Sequence, residues 1–257
     1  MKGSLSLGRI AGIKLQVHWT FVLILAWVAF IEVNKGSGLN TILLSMAFVL
    51  TIFVCVILHE LGHSLTAKRF GIETKKITLL PIGGVASLER MPEDPKQELQ
   101  VAVAGPLVNV VIAFLLFWFV RPVGEYLQPD NIENLKSVSP DNFLFYLFSA
   151  NVMLVVFNAI PAFPMDGGRV LRALLSFKLN RVRATEIAAN LGQIIAVGFF
   201  FLGLFYNIIL IFIAIFVYFG ASGEYTMIRQ ISLLRDFVVS DAMMDKYTTL
   251  HPTQSMK

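Results

Sequence analysis

Residues 36–69 read GSGLNTILLSMAFVLTIFVCVILHELGHSLTAKR, and this stretch decides the fold class. It carries no charged residue before Glu60, and it ends in Lys68 and Arg69. A helix that crosses a bilayer needs about 20 apolar residues, so the uncharged part is long enough for one. In the whole chain 56% of residues are hydrophobic, only 15% are charged and the mean hydropathy is +0.71. Soluble domains carry about 25% charged residues, so the composition predicts a membrane protein and excludes a soluble or disordered chain.

Four further uncharged stretches give the same signal, and the last of them, residues 187–223, is long enough for two helices. The sequence therefore predicts an all-α polytopic membrane protein whose membrane domain covers residues 1–225. Its six predicted transmembrane helices lie at about 15–33, 40–68, 97–120, 142–160, 185–203 and 206–225. Between the second and third, residues 76–88 are apolar, β-prone and broken by Pro81 and a Gly-Gly pair. They predict a small membrane-associated β segment of two short strands, with a connector on the membrane surface as the alternative.

The basic residues orient the predicted helices. If the amino terminus is cytoplasmic, only three of the 21 Lys and Arg residues fall on the outer side, namely Lys35, Arg121 and Lys136. The positive-inside rule favours this arrangement, which predicts a multi-pass protein of the cell membrane with both termini in the cytoplasm. Contact of the basic face with anionic lipid headgroups explains the net charge of +4. We therefore expect the lipid bilayer, and no nucleic acid, as a partner.

The motif His59-Glu60-Leu61-Gly62-His63 carries the chemistry. Residues four apart share one face of a helix, so both imidazoles can bind one Zn²⁺, while Glu60 can serve as general base for water. By helix rise, His59 lies about 13 Å from Lys68, which places the zinc at membrane depth. The single cysteine, Cys55, excludes a multi-cysteine zinc site. The alternative is a polar interhelical network without metal.

A tetrahedral catalytic zinc site needs a third protein ligand and a water molecule. Asp166 is the candidate, because Pro161 and Pro164 end the fourth predicted helix and present this carboxylate on irregular backbone. With the predicted topology it lies on the same side of the membrane as His63, at a similar depth. The alternative is that Asp166 caps a helix over residues 169–178.

Asn109 is the remaining candidate site residue, since it is an amide within an apolar predicted helix. It could donate a hydrogen bond to the oxyanion that develops during hydrolysis, or it could orient the substrate backbone. The alternative is an ordinary hydrogen bond between two helices. The sequence leaves these roles open.

Together these motifs resemble the site-2 protease family of zinc intramembrane metalloproteases, most closely the prokaryotic type with a C-terminal CBS (cystathionine-β-synthase-type) module. The segments that carry the resemblance are His59-Glu60-x-x-His63, Pro81-Ile82-Gly83-Gly84-Val85, Ala104-Gly105-Pro106-Leu107-Val108-Asn109 and Pro161-x-x-Pro164-Met165-Asp166-Gly167-Gly168. One departure is Asn158, which lies three residues before Pro161 rather than next to it. The resemblance implies one Zn²⁺ per chain with Asp166 as third ligand. It also implies hydrolysis of peptide bonds within or near transmembrane segments of membrane-protein substrates.

Two other classes of function and several partners stay open at this point. A zinc or cation transporter also places His and Asp in the membrane, and an inactive membrane scaffold would keep the same fold. Residues 226–257 are expected to form a cytoplasmic tail that contains the truncated start of a CBS module. Paired CBS repeats in relatives bind adenine nucleotides, so a nucleotide partner would require a complete module. The sequence does not distinguish a monomer from a homo-oligomer.

Overall fold

The computed structural model describes residues 3–81, 83–120 and 138–234, which form seven helices and four strands in the described part of the chain. The strands are β1 Ser4–Ile10, β2 Ile13–His18, β3 Thr74–Leu80 and β4 Gly83–Leu88. The helices are α1 Phe21–Asn34, α2 Leu39–Arg69, α3 Pro95–Phe117, α4 Phe143–Ala159, α5 Asp166–Ser176, α6 Arg181–Phe205 and α7 Ile208–Leu234. Of the predicted tail at residues 226–257, residues 235–257, which include the segment that resembles a CBS module, lie outside the described residues.

Four of these helices, α2, α3, α6 and α7, are long and apolar enough to cross a membrane. Helices α1 and α4 are apolar but shorter, with 14 and 17 residues. At 1.5 Å per residue they measure about 21 and 25 Å, less than the roughly 30 Å of a bilayer's hydrocarbon core. The structure thus has the membrane-spanning helices expected of a membrane protein, but it confirms four spans by length rather than six.

A four-stranded sheet with the order β1-β2-β3-β4 lies beside the helices. Strands β3 and β4 are antiparallel, with Ile77 opposite Ala86, so the predicted strand pair between the second and third helices is confirmed. The paired glycines belong to β4 itself, and the turn before them includes Pro81. Strand β4 is the last strand in the order and therefore leaves one edge unpaired within the sheet.

The amino terminus corrects the prediction of a helix beginning at residue 15. Residues 13–18 form β2, which pairs with β1 on one side and runs parallel to β3 on the other. Alternation explains the difference, because Ile13 and Leu15 are buried while Lys14 between them is half-buried. Burial that alternates with a period of two residues is typical of a strand, and a count of consecutive uncharged residues does not detect it. The predicted all-α class with one β segment of two strands therefore omits β1 and β2, which are half of the sheet.

Helices α6 and α7 form a tightly packed hairpin. Small residues make this close packing possible, as Ala188, Ala189 and Ala221 surround the buried ring of Phe163, which precedes α5. Helix α7 continues through Leu234, whereas the sequence predicts its end at residue 225. The hairpin thus covers the segment that leads into α5 and positions the start of that helix.

Candidate metal centre

Helix α2 positions the two histidines of the motif. It is an unbroken helix of 31 residues, and His59 and His63 lie one turn apart on the face that contacts the rest of the protein. Both side chains are buried, and their Nε2 atoms are 3.1 Å apart. The helical spacing therefore brings the two ring nitrogens together, as the sequence predicts.

Helix α5 brings Asp166 to the same place. Pro161 and Pro164 lie between α4 and α5, and Asp166 is the first residue of α5. Its Oδ2 is 3.1 Å from Nε2 of His59 and 3.1 Å from Nε2 of His63. Met165 occupies the N-cap position, so the alternative in which Asp166 caps the helix does not describe its side chain.

The three ligand atoms face one another in a way that calls for a cation. Nδ1 of His63 is 2.7 Å from the carbonyl oxygen of Val101, which can only accept, so His63 carries its proton on Nδ1. Its Nε2 then presents a lone pair to the carboxylate of Asp166. Buried acceptors this close repel each other unless a positive charge lies between them.

The geometry fits zinc. Tetrahedral coordination at about 2.0–2.1 Å requires neighbouring ligand atoms to be about 3.3 Å apart, close to the 3.1 Å separations of this cluster. Two imidazoles and one carboxylate also match the ligand set of catalytic zinc sites, which leave the fourth position for water. His59, His63 and Asp166 are thus the residues that could hold the metal.

One further charge lies beside the cluster. Nη1 of Arg169, one turn along α5, is 3.6 Å from Oδ1 of Asp166. The positive charge of this guanidinium favours the ionised form of Asp166. The carboxylate is therefore ionised and available as a ligand.

Glu60 follows the first histidine and lies against the sheet. A Cβ atom at Gly84 of β4 would be only 2.8 Å from Cγ of Glu60. The absence of a side chain at Gly84 therefore lets the backbone of β4 pass directly beside the Glu60 side chain. The edge strand and the candidate general base thus belong to one site, although they are distant in sequence.

A glycine on α3 makes room for the second histidine. A Cβ atom at Gly105 would overlap the His63 ring, with Nε2, Cε1 and Cδ2 as its nearest atoms. The sequence presents Gly105 only as part of a resembling segment. The structure gives it a steric role, since any side chain there would displace the imidazole.

Asn109 lies behind His59 and is completely buried. Its Oδ1 is 2.6 Å from Nδ1 of His59, and its Nδ2 donates to Oδ1 of Asn151 at 2.9 Å. Sequence reasoning missed Asn151, although an Asn within the apolar α4 is itself a signal of a buried polar contact. The backbone carbonyl of Val101 was also missed, since carbonyl contacts leave no trace in the sequence.

Comparison with known proteins agrees with this geometry. The family model described as Peptidase family M50 matches residues 47–199, which include both histidines and Asp166. The chain belongs to peptidase family M50. A zinc metalloprotease of Methanocaldococcus jannaschii is 38% identical over 258 residues, covering all of this chain and 71% of that protein. The solved structure of a site-2 protease from the same organism superposes with a TM-score of 0.61 at 39% identity, over 86% of this chain and 95% of that one.

A more distant relative is the regulator of sigma E protease of Haemophilus influenzae, 24% identical over 37% of this chain and 31% of that protein. Membership of the family makes this protein an intramembrane zinc metalloprotease in a lipid environment. It confirms the expected zinc cofactor and favours a hydrolase over the transporter and the inactive scaffold.

Proposed function

We propose that the protein hydrolyses peptide bonds within or next to the transmembrane segments of other membrane proteins. The observation that carries this proposal is the depth of the metal centre. His59 lies ten residues before the end of α2 at Arg69, which is about 15 Å along the helix axis. A substrate bond must reach that depth to be cut, and a transmembrane segment is the substrate that already lies there.

The three buried ligands would hold the metal, and Glu60 would move the proton. Bound zinc supplies Lewis-acid activation, which lowers the pKa of water towards about 7. Glu60 accepts the proton of the attacking water and returns it to the leaving amine. Asn109 has a second Nδ2 hydrogen besides the one given to Asn151 and stays a candidate donor to the oxyanion, but its complete burial behind Nδ1 of His59 favours the alternative of a hydrogen bond between helices.

Replacement of Glu60 by Gln tests this function. The amide keeps the size of the side chain but cannot accept the proton, so Glu60→Gln should bind one zinc per chain and lose cleavage by about 10²–10⁴-fold. Single-span model peptides with a fluorophore at each end, reconstituted in liposomes, provide the assay. Glu89→Gln is the matched control, because Glu89 is an exposed side chain after β4. Undiminished cleavage by Glu60→Gln, or zinc flux in place of cleavage, would contradict the proposal.

The edge of the sheet offers a place for the substrate backbone. Peptide bonds in a helix are already hydrogen-bonded, so a transmembrane substrate must unwind before hydrolysis. An unwound segment could pair with β4 as a fifth strand, which would bring its backbone next to Glu60. The close contact between Gly84 and Glu60 supports this position.

Photo-crosslinking distinguishes the two edges of the sheet. A benzophenone amino acid at Val85, which is exposed on β4, should cross-link the model peptide in the Glu60→Gln background. The same probe at Leu7, exposed on the opposite edge strand β1, is the control and should give little product. Equal yields at both positions would argue against strand addition at β4.

The sheet and the metal centre also support six membrane crossings. Strand β2 precedes α1 and pairs with β3, which follows α2, so both strands lie on one side of the membrane. Since α2 crosses once, α1 must cross as well, despite its length. The same reasoning applies to α4, because it must return the chain from the far end of α3 to Asp166 beside His63. With the distribution of the basic residues, this supports an orientation in which both termini lie in the cytoplasm.

Cysteine labelling tests that topology. The native Cys55 is buried and gives a low background. Cysteines introduced at Lys35 and Asn207 should react with an impermeant maleimide from outside the cell. Those at Lys75 and Lys178 should react only after the membrane is permeabilised. Labelling of Lys75→Cys from outside would overturn the proposed orientation.

A further inference from the structure

A line of amide hydrogen bonds extends from the backbone of α4 to His59. Nδ2 of Asn151 donates to the carbonyl oxygen of Leu147 at 2.8 Å. Oδ1 of Asn151 accepts from Nδ2 of Asn109 at 2.9 Å, and Oδ1 of Asn109 is 2.6 Å from Nδ1 of His59. Both Asn side chains are completely buried, so water does not replace these contacts.

The direction of this line follows from its first member. The Leu147 carbonyl can only accept, so the Asn151 amide must turn its nitrogen towards it and its oxygen towards Asn109. Asn109 must then donate through Nδ2, which turns its own oxygen towards His59. That oxygen accepts only if Nδ1 of His59 carries the proton. The Nε2 atom of His59 is left with the lone pair that a zinc ligand needs.

A second contact makes the opposite orientation unfavourable. Nδ2 of Asn151 also lies 3.5 Å from Sγ of Cys55, one turn before His59 on α2. Rotation of the Asn151 amide would turn its oxygen towards the Leu147 carbonyl and two nitrogens towards each other at Asn109. Neither pair can form a hydrogen bond, and an unmade hydrogen bond in a buried site is unfavourable.

We propose that Asn151 is a positioning residue that acts through Asn109 to fix the tautomer and ring orientation of His59. It contacts neither the zinc nor the substrate. This inference rests on the proposed role of His59 as a ligand and explains how the ligand is prepared. His63 differs, because the backbone carbonyl of Val101 fixes its Nδ1 without any side chain. Of the two histidines, only His59 thus depends on a side-chain relay.

Zinc affinity measures this role directly. Partners that orient a metal-binding histidine typically contribute 10–100-fold to metal affinity. Asn151→Leu removes both polar atoms, whereas Asn151→Ser is too short to reach Asn109 but can still bond to Leu147. Both should weaken zinc binding by about 10–100-fold in competition with a chelating dye. Asn151→Asp keeps an oxygen for Asn109 but turns its second oxygen towards the Leu147 carbonyl, so it should restore the affinity only when that oxygen is protonated and donates.

Helix α6 provides a control. The hydroxyl of Thr185, which is completely buried, donates to the carbonyl four residues earlier, that of Arg181, at 2.7 Å. Thr185→Val therefore removes the same kind of hydrogen bond outside the relay, and it should bind zinc like the wild type. The absorption spectrum of bound Co²⁺ should change in Asn151→Leu and Asn151→Ser and be unchanged in Thr185→Val.

Two outcomes would overturn the inference. One is wild-type zinc affinity in Asn151→Ser, which also serves if Asn151→Leu does not fold. The other is an equal loss of affinity in the Thr185 control, which would indicate a general effect of removing a buried hydrogen bond from a helix. Failure of the proposed function gives a different result, since the wild type would then bind zinc with the affinity that depends on Asn151 but would not cleave the model peptides. A double-mutant cycle with Asn109→Leu should show that the two losses are not additive.

Discussion

Two buried polar clusters lie within the same group of helices, and they are built on opposite principles. The acceptor cluster consists of His59, His63 and Asp166, whose ligand atoms lie 3.1 Å apart with no described donor hydrogen between them. The ion-pair cluster is centred on Arg172, which is completely buried. Its guanidinium bonds to Glu98 at 2.6 Å and to Glu224 at 2.6 Å.

The comparison shows which of the two clusters needs positive charge from outside the chain. In the ion-pair cluster cations and anions compensate one another, and the guanidinium of Arg172 also lies 5.0 Å from the centre of the Phe163 ring. In the acceptor cluster the compensation must come from a bound cation or from protons on the imidazoles. Helix α5 carries a member of each, Asp166 and Arg172, so the ion-pair cluster holds the helix that presents the ligand. The acceptor cluster therefore serves to bind the metal, and the ion-pair cluster serves to hold α5 in place.

The largest effect is expected from breaking the acceptor cluster. Asp166→Ala removes one of three protein ligands, so bound zinc should fall far below one per chain and cleavage should be lost. The loss of zinc affinity should exceed the 10–100-fold that hydrogen-bond partners of a ligand contribute. Elemental analysis and the liposome assay measure it. The variant should still fold, because the substitution also removes the repulsion between buried acceptors. An unfolded Asp166→Ala protein would contradict the contrast between the two clusters.

Breaking the ion-pair cluster should act on stability instead. Arg172→Ala leaves the buried Glu98 with only the more distant Arg181, whose Nη2 is 4.0 Å away, which should reduce the free energy of unfolding by about 3–5 kcal/mol. For a chain of this size the apparent Tm in detergent should fall by about 10 °C. Below that temperature the protein should still bind one zinc per chain.

A double replacement sharpens this second test. Arg172→Met with Glu98→Leu removes both buried charges, and apolar residues of similar volume often restore stability. Glu224 is partly exposed and can be hydrated. The double variant should therefore be more stable than Arg172→Ala. If it were the less stable of the two, the ion pair would contribute more than mutual compensation.

A steric change at the acceptor cluster should have an intermediate effect. The methyl group of Gly105→Ala would overlap the His63 ring, and overpacking of this kind costs about 1–3 kcal/mol. Zinc should bind about tenfold more weakly or worse, in the same dye competition. Gly198→Ala on α6 is the control, since a Cβ atom there has no described atom within 4 Å. Equal zinc affinities in the two variants would show that His63 can move aside.

The smallest effect is expected at the rim of the acceptor cluster. Arg169 is partly exposed and its Nη1 is 3.6 Å from Asp166, a geometry worth at most about 1 kcal/mol. Arg169→Gln should weaken zinc binding by no more than about fivefold. The difference from wild type should shrink as salt is raised, because salt screens exposed pairs. A loss as large as that of Asp166→Ala would make Arg169 part of the site.

Much of the acceptor cluster can be predicted from sequence, because each of its ligands is indicated by residues that lie close to it in the chain. The i, i+4 spacing of His59 and His63 predicts from helix geometry alone that both rings share one face. The prolines before Asp166 predict that its carboxylate follows a short segment between two helices. The helices at α2, α3, α6 and α7 follow from uncharged length. The ion-pair cluster escapes such reasoning, since Arg172, Glu98 and Glu224 are ordinary charged residues until three helices bring them together.

The sequence by itself determined a membrane protein, the position of its strands β3 and β4, and a zinc motif at membrane depth. These depend on composition and on residues near one another in the chain. Only the tertiary structure decided that residues 13–18 join the sheet, that Gly84 lies against Glu60, and that Asn151 lies behind Asn109. Each of these is a contact between distant segments, and its energy comes from hydrogen bonds and packing that do not exist until the helices assemble.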